Sequence, residues 1–282
     1  MKSKSWFRRL ALFVGFAFLY VPILSMVVYS FNNSRLVTVW DAADSPTLKW
    51  YRVLFSNEQM LSAAWLSVQV ATVTATGAAI FGTLAGLVLA RFGPFKGRPL
   101  LSAMTTAPLV MPEVITCLSL LLLFVFLEQL IGWPKGRGFA TIVIAHITFS
   151  MAYVTVVVQS RLSTFDDSLE EAALDLGARP AKVFFRITLP LILPAILSGW
   201  LLAFTLSWDD LVVSQFVAGP GSTTLPMVVF SKVRLGVSPD INALATIMVT
   251  IVGMGVVLSS LYMRRQERRL ALEMQLAKAD KP

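Results

Sequence analysis

Charge is scarce in this chain: only 14% of its 282 residues are Asp, Glu, Lys or Arg, where a soluble domain carries roughly a quarter. The scarcity is uneven, with charges clustered between long uncharged runs. That pattern excludes an ordinary water-soluble core wrapped in a polar surface. Cysteine and histidine are nearly missing as well. Cys117 and His146 are each the only residue of their kind, which excludes a disulfide framework, thiol–imidazole metal spacing and most nucleophile–base sites. Both lie inside apolar runs and read as packing residues, not ligands. No G-x-x-x-x-G-K-S/T occurs; the nearest glycine-rich stretch, GPFKGR (93–98), has the wrong spacing and reads as a short basic loop. The chain therefore has no phosphate-cradling loop of its own for ATP.

What is present is apolar: 56% of residues are hydrophobic and the mean hydropathy is +0.72. Six runs are long enough to span about 30 Å of hydrocarbon at about 1.5 Å per helical residue. They are Leu10–Phe31, Leu61–Ala90, Leu100–Leu127, Phe139–Ser160, Thr188–Val217 and Ile241–Met263. Four carry no formal charge; the third holds only Glu113 and the fifth only Asp209 and Asp210. The expected architecture is a single all-α membrane domain over residues 1–282 with six transmembrane helices. The first run follows Lys2, Lys4, Arg8 and Arg9 as in a signal peptide, but its 22 residues exceed the roughly 7–15 of an h-region, so it reads as a retained helix. Gly82 and Gly86, four apart in the second run, form a GxxxG pattern that lets helices approach closely.

The formal net charge of +8 flanks the apolar runs and forms no single patch, which fits a lipid surface and not nucleic acid. With the N-terminus inside, 17 of the 24 basic residues fall on the cytoplasmic side: the N-terminal tail, the 91–98 loop, Arg161–Arg186 and everything from Arg264 onward. The positive-inside bias puts both termini in the cytoplasm. The tail 264–282 reads as a short basic helix on anionic headgroups.

The cytoplasmic loop before the fifth run is DDSLEEAALDLGARPAKVFFRITLP. Ser168 and Glu171 suggest a capping-box start, and Leu169, Ala172, Ala173 and Leu176 recur at helical spacing. Gly177 can end this helix in the left-handed conformation, and Pro180 can open a second short one. An interfacial lipid helix would favour Lys and Arg on its polar face, whereas this helix carries Glu170, Glu171 and Asp175. It suits a groove on a protein better.

Glu171-Ala172-Ala173, three residues, Gly177, nine residues, then Ile187-x-Leu189-Pro190 resembles the EAA signature of binding-protein-dependent ABC permeases. Further stretches resemble the polyamine branch of that family: LVTVW (36–40), KWY (49–51), APLVMPEVI (107–115), SWDDLVVSQFVAGP (207–220) and LPMVVFSKVRLGVSPDINALAT (225–246). The likeness is greatest to the shorter of the two permeases in putrescine importers; Glu113 stands where some relatives carry Asp. The resemblance implies a type I importer transmembrane domain in a bacterial inner membrane, paired with a second, different permease. It also implies two copies of an ATPase that bind ATP–Mg, an external polyamine-binding protein, and no cofactor on this chain. Residues 168–187 would then be the coupling-helix region. Glu170, Glu171, Ala172, Ala173, Gly177, Leu189 and Pro190 would form the ATPase-coupling set.

A carboxylate at the centre of a spanning helix costs roughly 2.5–3.5 kcal/mol on insertion scales. Glu113 would lie about 20 Å along the third run and Asp209 and Asp210 about 30 Å along the fifth, all in the middle-to-outer membrane. They can attract a dication, or they can form a structural network between helices. Neighbours on a regular helix point about 100° apart, so only one Asp of the pair would face a path. Pro108, Pro112 and Pro194 can free carbonyls to line a polar cavity. Trp208 can stack on an ammonium group. Trp40, Trp50 and Tyr51 suit an external aromatic belt, and the resemblance adds Trp50 to the substrate path. The expected function is therefore an ATP-driven polyamine permease. The alternatives are an ABC permease for another small cationic or organic solute, or a secondary transporter, for which an inverted repeat would be the sign; none of roughly 20–50 residues is apparent.

Overall fold

The computed structural model describes residues 2–36, 39–164, 166, 168–236 and 238–279, and all regular structure among them is helical. The backbone groups into two compact units, residues 1–58 with 232–282, and residues 59–231.

In the first unit α1 (Lys2–Tyr29) and α2 (Lys49–Phe55) both pack on α12 (Pro239–Ala279). The loop between α1 and α2 folds around the buried Asn32, because an amide offers donors and acceptors to several strands of chain at once. Its Nδ2 donates to Val39 O at 2.6 Å and its Oδ1 accepts the Asp41 N–H at 2.9 Å. The Trp50 indole N–H donates to Asn32 O at 2.7 Å. α12 continues unbroken from the sixth apolar run through Ala279, so the basic tail is the end of one long helix and not a separate short one. The side chains of 262–282 lie outside the described set.

The second unit is built around α6 (Phe139–Ser163), whose buried face includes Ile142, Ala145, Val154 and Val158. α3 (Glu58–Arg91) approaches it through the expected glycines. A Cβ on Gly82 would stand 2.7 Å from Val154 Cβ, and one on Gly86 3.2 Å from Thr155 O. On another side Gly199 of α9 (Leu189–Trp208) faces the same Val154, where an added Cβ would stand 3.1 Å from its Cγ1. Small residues thus let neighbouring backbones close on α6, the packing that works where lipid removes the hydrophobic drive.

Two of the six expected spans are interrupted. The third divides into α4 (Arg98–Val110) and α5 (Glu113–Ile131). Met111 is extended (φ −73°, ψ 139°) and so is Pro112 (φ −56°, ψ 129°). The cause is local, because a proline ring pushes the preceding residue out of the helical region and itself supplies no N–H. The fifth divides into α9, a break at 209–211, and α10 (Val212–Val217). No proline is present at this break. Instead the Asp210 carboxylate accepts the N–H groups of Val213 at 3.2 Å and Ser214 at 2.8 Å. A short acidic side chain here outcompetes the helical ladder. Five helical stretches remain long and apolar enough to cross a membrane, with Pro239–Gly255 as a shorter sixth, among the described residues. This unit also holds α7 (Ser168–Asp175), α8 (Pro180–Val183) and a π turn over Phe184–Thr188, and its boundary falls within α11 (Leu225–Leu235).

Candidate functional site

Both breaks carry the acids. Glu113 is the first residue of α5, Asp209 is the last cap of α9, and Asp210 lies inside the gap before α10. Irregular backbone at membrane depth is tolerated where it is buried in protein or lines a cavity, and the first turn of a helix offers unpaired N–H groups to a carboxylate.

The adjacent aspartates have opposite fates. Asp210 turns inward: its Oδ2 lies 3.0 Å from His146 Nε2, and its side chain is only 8% exposed. His146 is equally buried, and its Nδ1 lies 2.7 Å from Ser207 Oγ. The Ser214 hydroxyl lies 3.4 Å from Nε2. This corrects the reading of His146 as simple packing. It is a polar link that ties α6 to both sides of the break, and its Asp210 partner lies 64 residues away in sequence, beyond any local pattern. Asp209 stays exposed beyond the end of α9. Glu113 lies beside Asp210 and within electrostatic reach of His146 and Asp209. Among the described residues no lysine or arginine stands at ion-pair distance from any of the three carboxylates. Of the three acids, Asp210 is the one that bonds the imidazole.

A stack of rings leads to this cluster. Trp200, Phe204 and Trp208 follow at four-residue spacing on α9, with centroids 5.4 and 6.0 Å apart and planes within 17° of parallel. The Trp200 indole N–H donates to Thr76 on α3 at 3.2 Å. Trp208 therefore stands next to Asp209 in sequence and at the end of an ordered stack. Trp50 belongs to the other unit. It is buried, its N–H is committed to Asn32, and the Lys49 ammonium lies 5.1 Å from its ring centroid. Cys117 is a free buried thiol.

The 166–188 loop folds largely as its sequence directs. α7 ends in a Schellman motif: Gly177 N–H bonds Leu174 O at 2.8 Å and Ala178 N–H bonds Ala173 O at 3.1 Å. Gly177 takes φ +81°, open to glycine at little cost. The start differs from the expected capping box. Ser168 is already helical, and Asp166 Oδ1 accepts its backbone N–H at 3.0 Å. That bond holds the Asp166 carboxyl below its ordinary range. Asp167 lies outside the described residues. Leu169, Glu171, Ala172 and Leu176 are exposed, whereas Glu170 is half-buried and bonds Thr188. Leu189 and Pro190 open α9 directly after the π turn. Sequence reasoning missed Arg91, whose Nη2 lies 3.6 Å from Glu170 Oε1.

Apolar helices long enough to cross a membrane, interrupted beside a polar cluster, make this a polytopic membrane protein. The fold is matched by a bacterial ABC transporter involved in alginate import, at TM-score 0.71 with 14% identity over 93% of this chain and 96% of that one. It is also matched by the MetNI methionine ABC transporter, at TM-score 0.58 with 15% identity over 73% and 95%. Residues 82–272 match the model of the binding-protein-dependent transport system inner membrane components, and this chain belongs to that family. It is a multi-pass membrane protein with a transport role. It is 56% identical over 98% of its length to the putrescine transport system permease protein PotI of Escherichia coli K12, covering 97% of that protein. It is 42% identical over 93% to the spermidine/putrescine permease PotC of Haemophilus influenzae, covering 98% of it.

Proposed function

We propose that this chain is one permease subunit of an ATP-driven polyamine importer, with putrescine as its substrate. The observation that carries the reading is the cluster of Glu113, Asp209 and Asp210 at two helix breaks, where the basic side chain bonded to it among the described residues is His146, on Asp210. Even with His146 protonated, three ionised carboxylates would leave two negative charges for a diammonium ion to meet. The relatives' names support the same substrate class.

In this reading Asp209 presents the exposed carboxylate to an arriving ammonium group, and the Trp208 face adds a cation–π contact of about 0.5–2 kcal/mol. Glu113 supplies the next negative charge. Asp210 and His146 hold the break open, so that Asp209 leaves the helix and faces the path. Trp50 has a smaller part, because its ring is buried and already faced by Lys49. A second, different permease would complete the path, and an external polyamine-binding protein would deliver the substrate.

ATP–Mg belongs to two copies of a partner ATPase. That partner would dock on the exposed Leu169, Glu171 and Ala172 of α7 and on Leu176 just after it, held in shape by Gly177 and anchored to α9 through Leu189 and Pro190. Exposed leucines on a short acidic helix suit a protein groove better than water. The basic flanks support both termini in the cytoplasm. The test is uptake of labelled putrescine, spermidine and an amino acid by cells lacking the complex and then complemented. Complementation should restore putrescine uptake first. Restoration of the amino acid alone would refute the substrate class.

A further inference from the structure

Glu170 neighbours the signature glutamate but faces the other way. Its Oε1 accepts the Thr188 hydroxyl at 2.6 Å and stands 3.6 Å from the Arg91 guanidinium. One carboxylate therefore gathers three separate pieces of chain: the first turn of α7, the last turn of α3, and the residue before α9. A cavity of about 320 Å³ lies between the end of α3 and the α7–α8 pair, lined mainly by Leu87, Val88, Leu174, Val183 and Phe184. The polar contact adds a direct tie from α7 to Thr188, alongside the chain path through α8 and the π turn.

The backbone beneath it is also distinctive. Thr188 closes a π turn in which Leu189 N–H bonds Phe184 O, five residues back. A π turn carries one residue more than an α turn, and such turns concentrate at functional sites. Beyond it α9 runs as one helix of 20 residues, about 30 Å long, to Asp209.

We propose that Glu170 is a positioning residue, a clamp that fastens the docking helix to the base of α9 and the end of α3. Displacement of α7 by an ATPase then reaches the break that carries Asp209. The inference rests on the reading of this loop as the ATPase dock. It gives Glu170 a transmitting role, distinct from Glu171 on the exposed face.

The experiment uses the whole reconstituted complex in liposomes, with the second permease, ATPase and binding protein. Bound ATPase, ATP hydrolysis and putrescine uptake are measured per assembled complex. Wild type is measured first, and no ATP-driven putrescine uptake there refutes the functional reading itself. Thr188→Val keeps the branched shape and removes the donor; Glu170→Gln keeps an acceptor and removes the charge. Both should bind ATPase and hydrolyse ATP near the wild-type level while uptake per ATP falls about 2- to 30-fold, the span of coupling changes of this kind. Thr188→Ser, which retains the hydroxyl, should keep the wild-type ratio. An unchanged ratio in either of the first two variants overturns the proposal. So does loss of ATPase binding, which would make Glu170 a docking contact, and so does failed assembly, which would make it a folding contact.

Discussion

The helix Leu189–Trp208 joins two carboxylate sites of opposite construction. At its start Glu170 has a hydroxyl and a guanidinium for partners, beside the π turn that leads into the helix. At its far end Glu113, Asp209 and Asp210 have a single imidazole, and the helix is broken. The first site is satisfied from within the chain and suits a mechanical joint. The second sets three carboxylates against one basic side chain among the described residues, an imbalance that in a membrane is expensive to keep without a purpose. Asp209 and Asp210 repeat the contrast within two residues, one exposed and one spent on His146 and the first turn of α10.

The largest effect is expected from destroying the loop end. Gly177→Pro cannot take φ +81°, since proline is fixed near −65°. The Schellman bonds would go with it. The protein should still insert, but ATPase association and stimulated hydrolysis should disappear in a pull-down and hydrolysis assay. Glu171→Lys should act in the same direction by reversing the charge on the docking face. Retained ATPase binding in both would detach the loop from the coupling role.

Next in size is the buried aspartate. Asp210→Asn keeps the shape of the side chain but weakens the bond to His146 and the charge-assisted cap on α10, at about 1–3 kcal/mol. The amount of assembled complex should fall, measured by size-exclusion yield and thermal melting in detergent. Uptake per surviving complex should fall less. The reverse order would erase the distinction between the two aspartates. Smaller still is Trp208→Leu, which removes a cation–π face of about 0.5–2 kcal/mol. The apparent KM for putrescine should rise by about 2- to 30-fold, with assembly unchanged. An unaltered KM would remove Trp208 from the path.

The loop end was legible because its signals are local: Gly177, Pro180 and the apolar spacing act within one or two turns, and the observed turn follows them. Its Arg91 contact was not legible, since it joins residues 79 apart in sequence. At the far end the apolar run and its acids could be read, and Pro112 gave a reason for a break in the third span. The break in the fifth span could not be read. Asp210 caps Val213 and Ser214 locally, but its inward turn is also held by His146 on another helix, and sequence periodicity carries no information about that pairing. For the same reason His146 looked like packing until its partner stood beside it.

The most direct test of the charge-imbalance account is putrescine uptake per assembled complex in Asp209→Asn, with Glu113→Gln alongside. The amide keeps size and hydrogen bonding and removes only charge. Loss of a hydrogen bond to a charged group is worth about 1.5–3 kcal/mol, so Asp209→Asn should assemble normally, bind its ATPase and lose tenfold or more in apparent affinity. Glu113→Gln should show a similar but smaller defect. Normal uptake per complex in Asp209→Asn, with or without reduced assembly, would contradict the account and leave these acids as a network that only holds helices together.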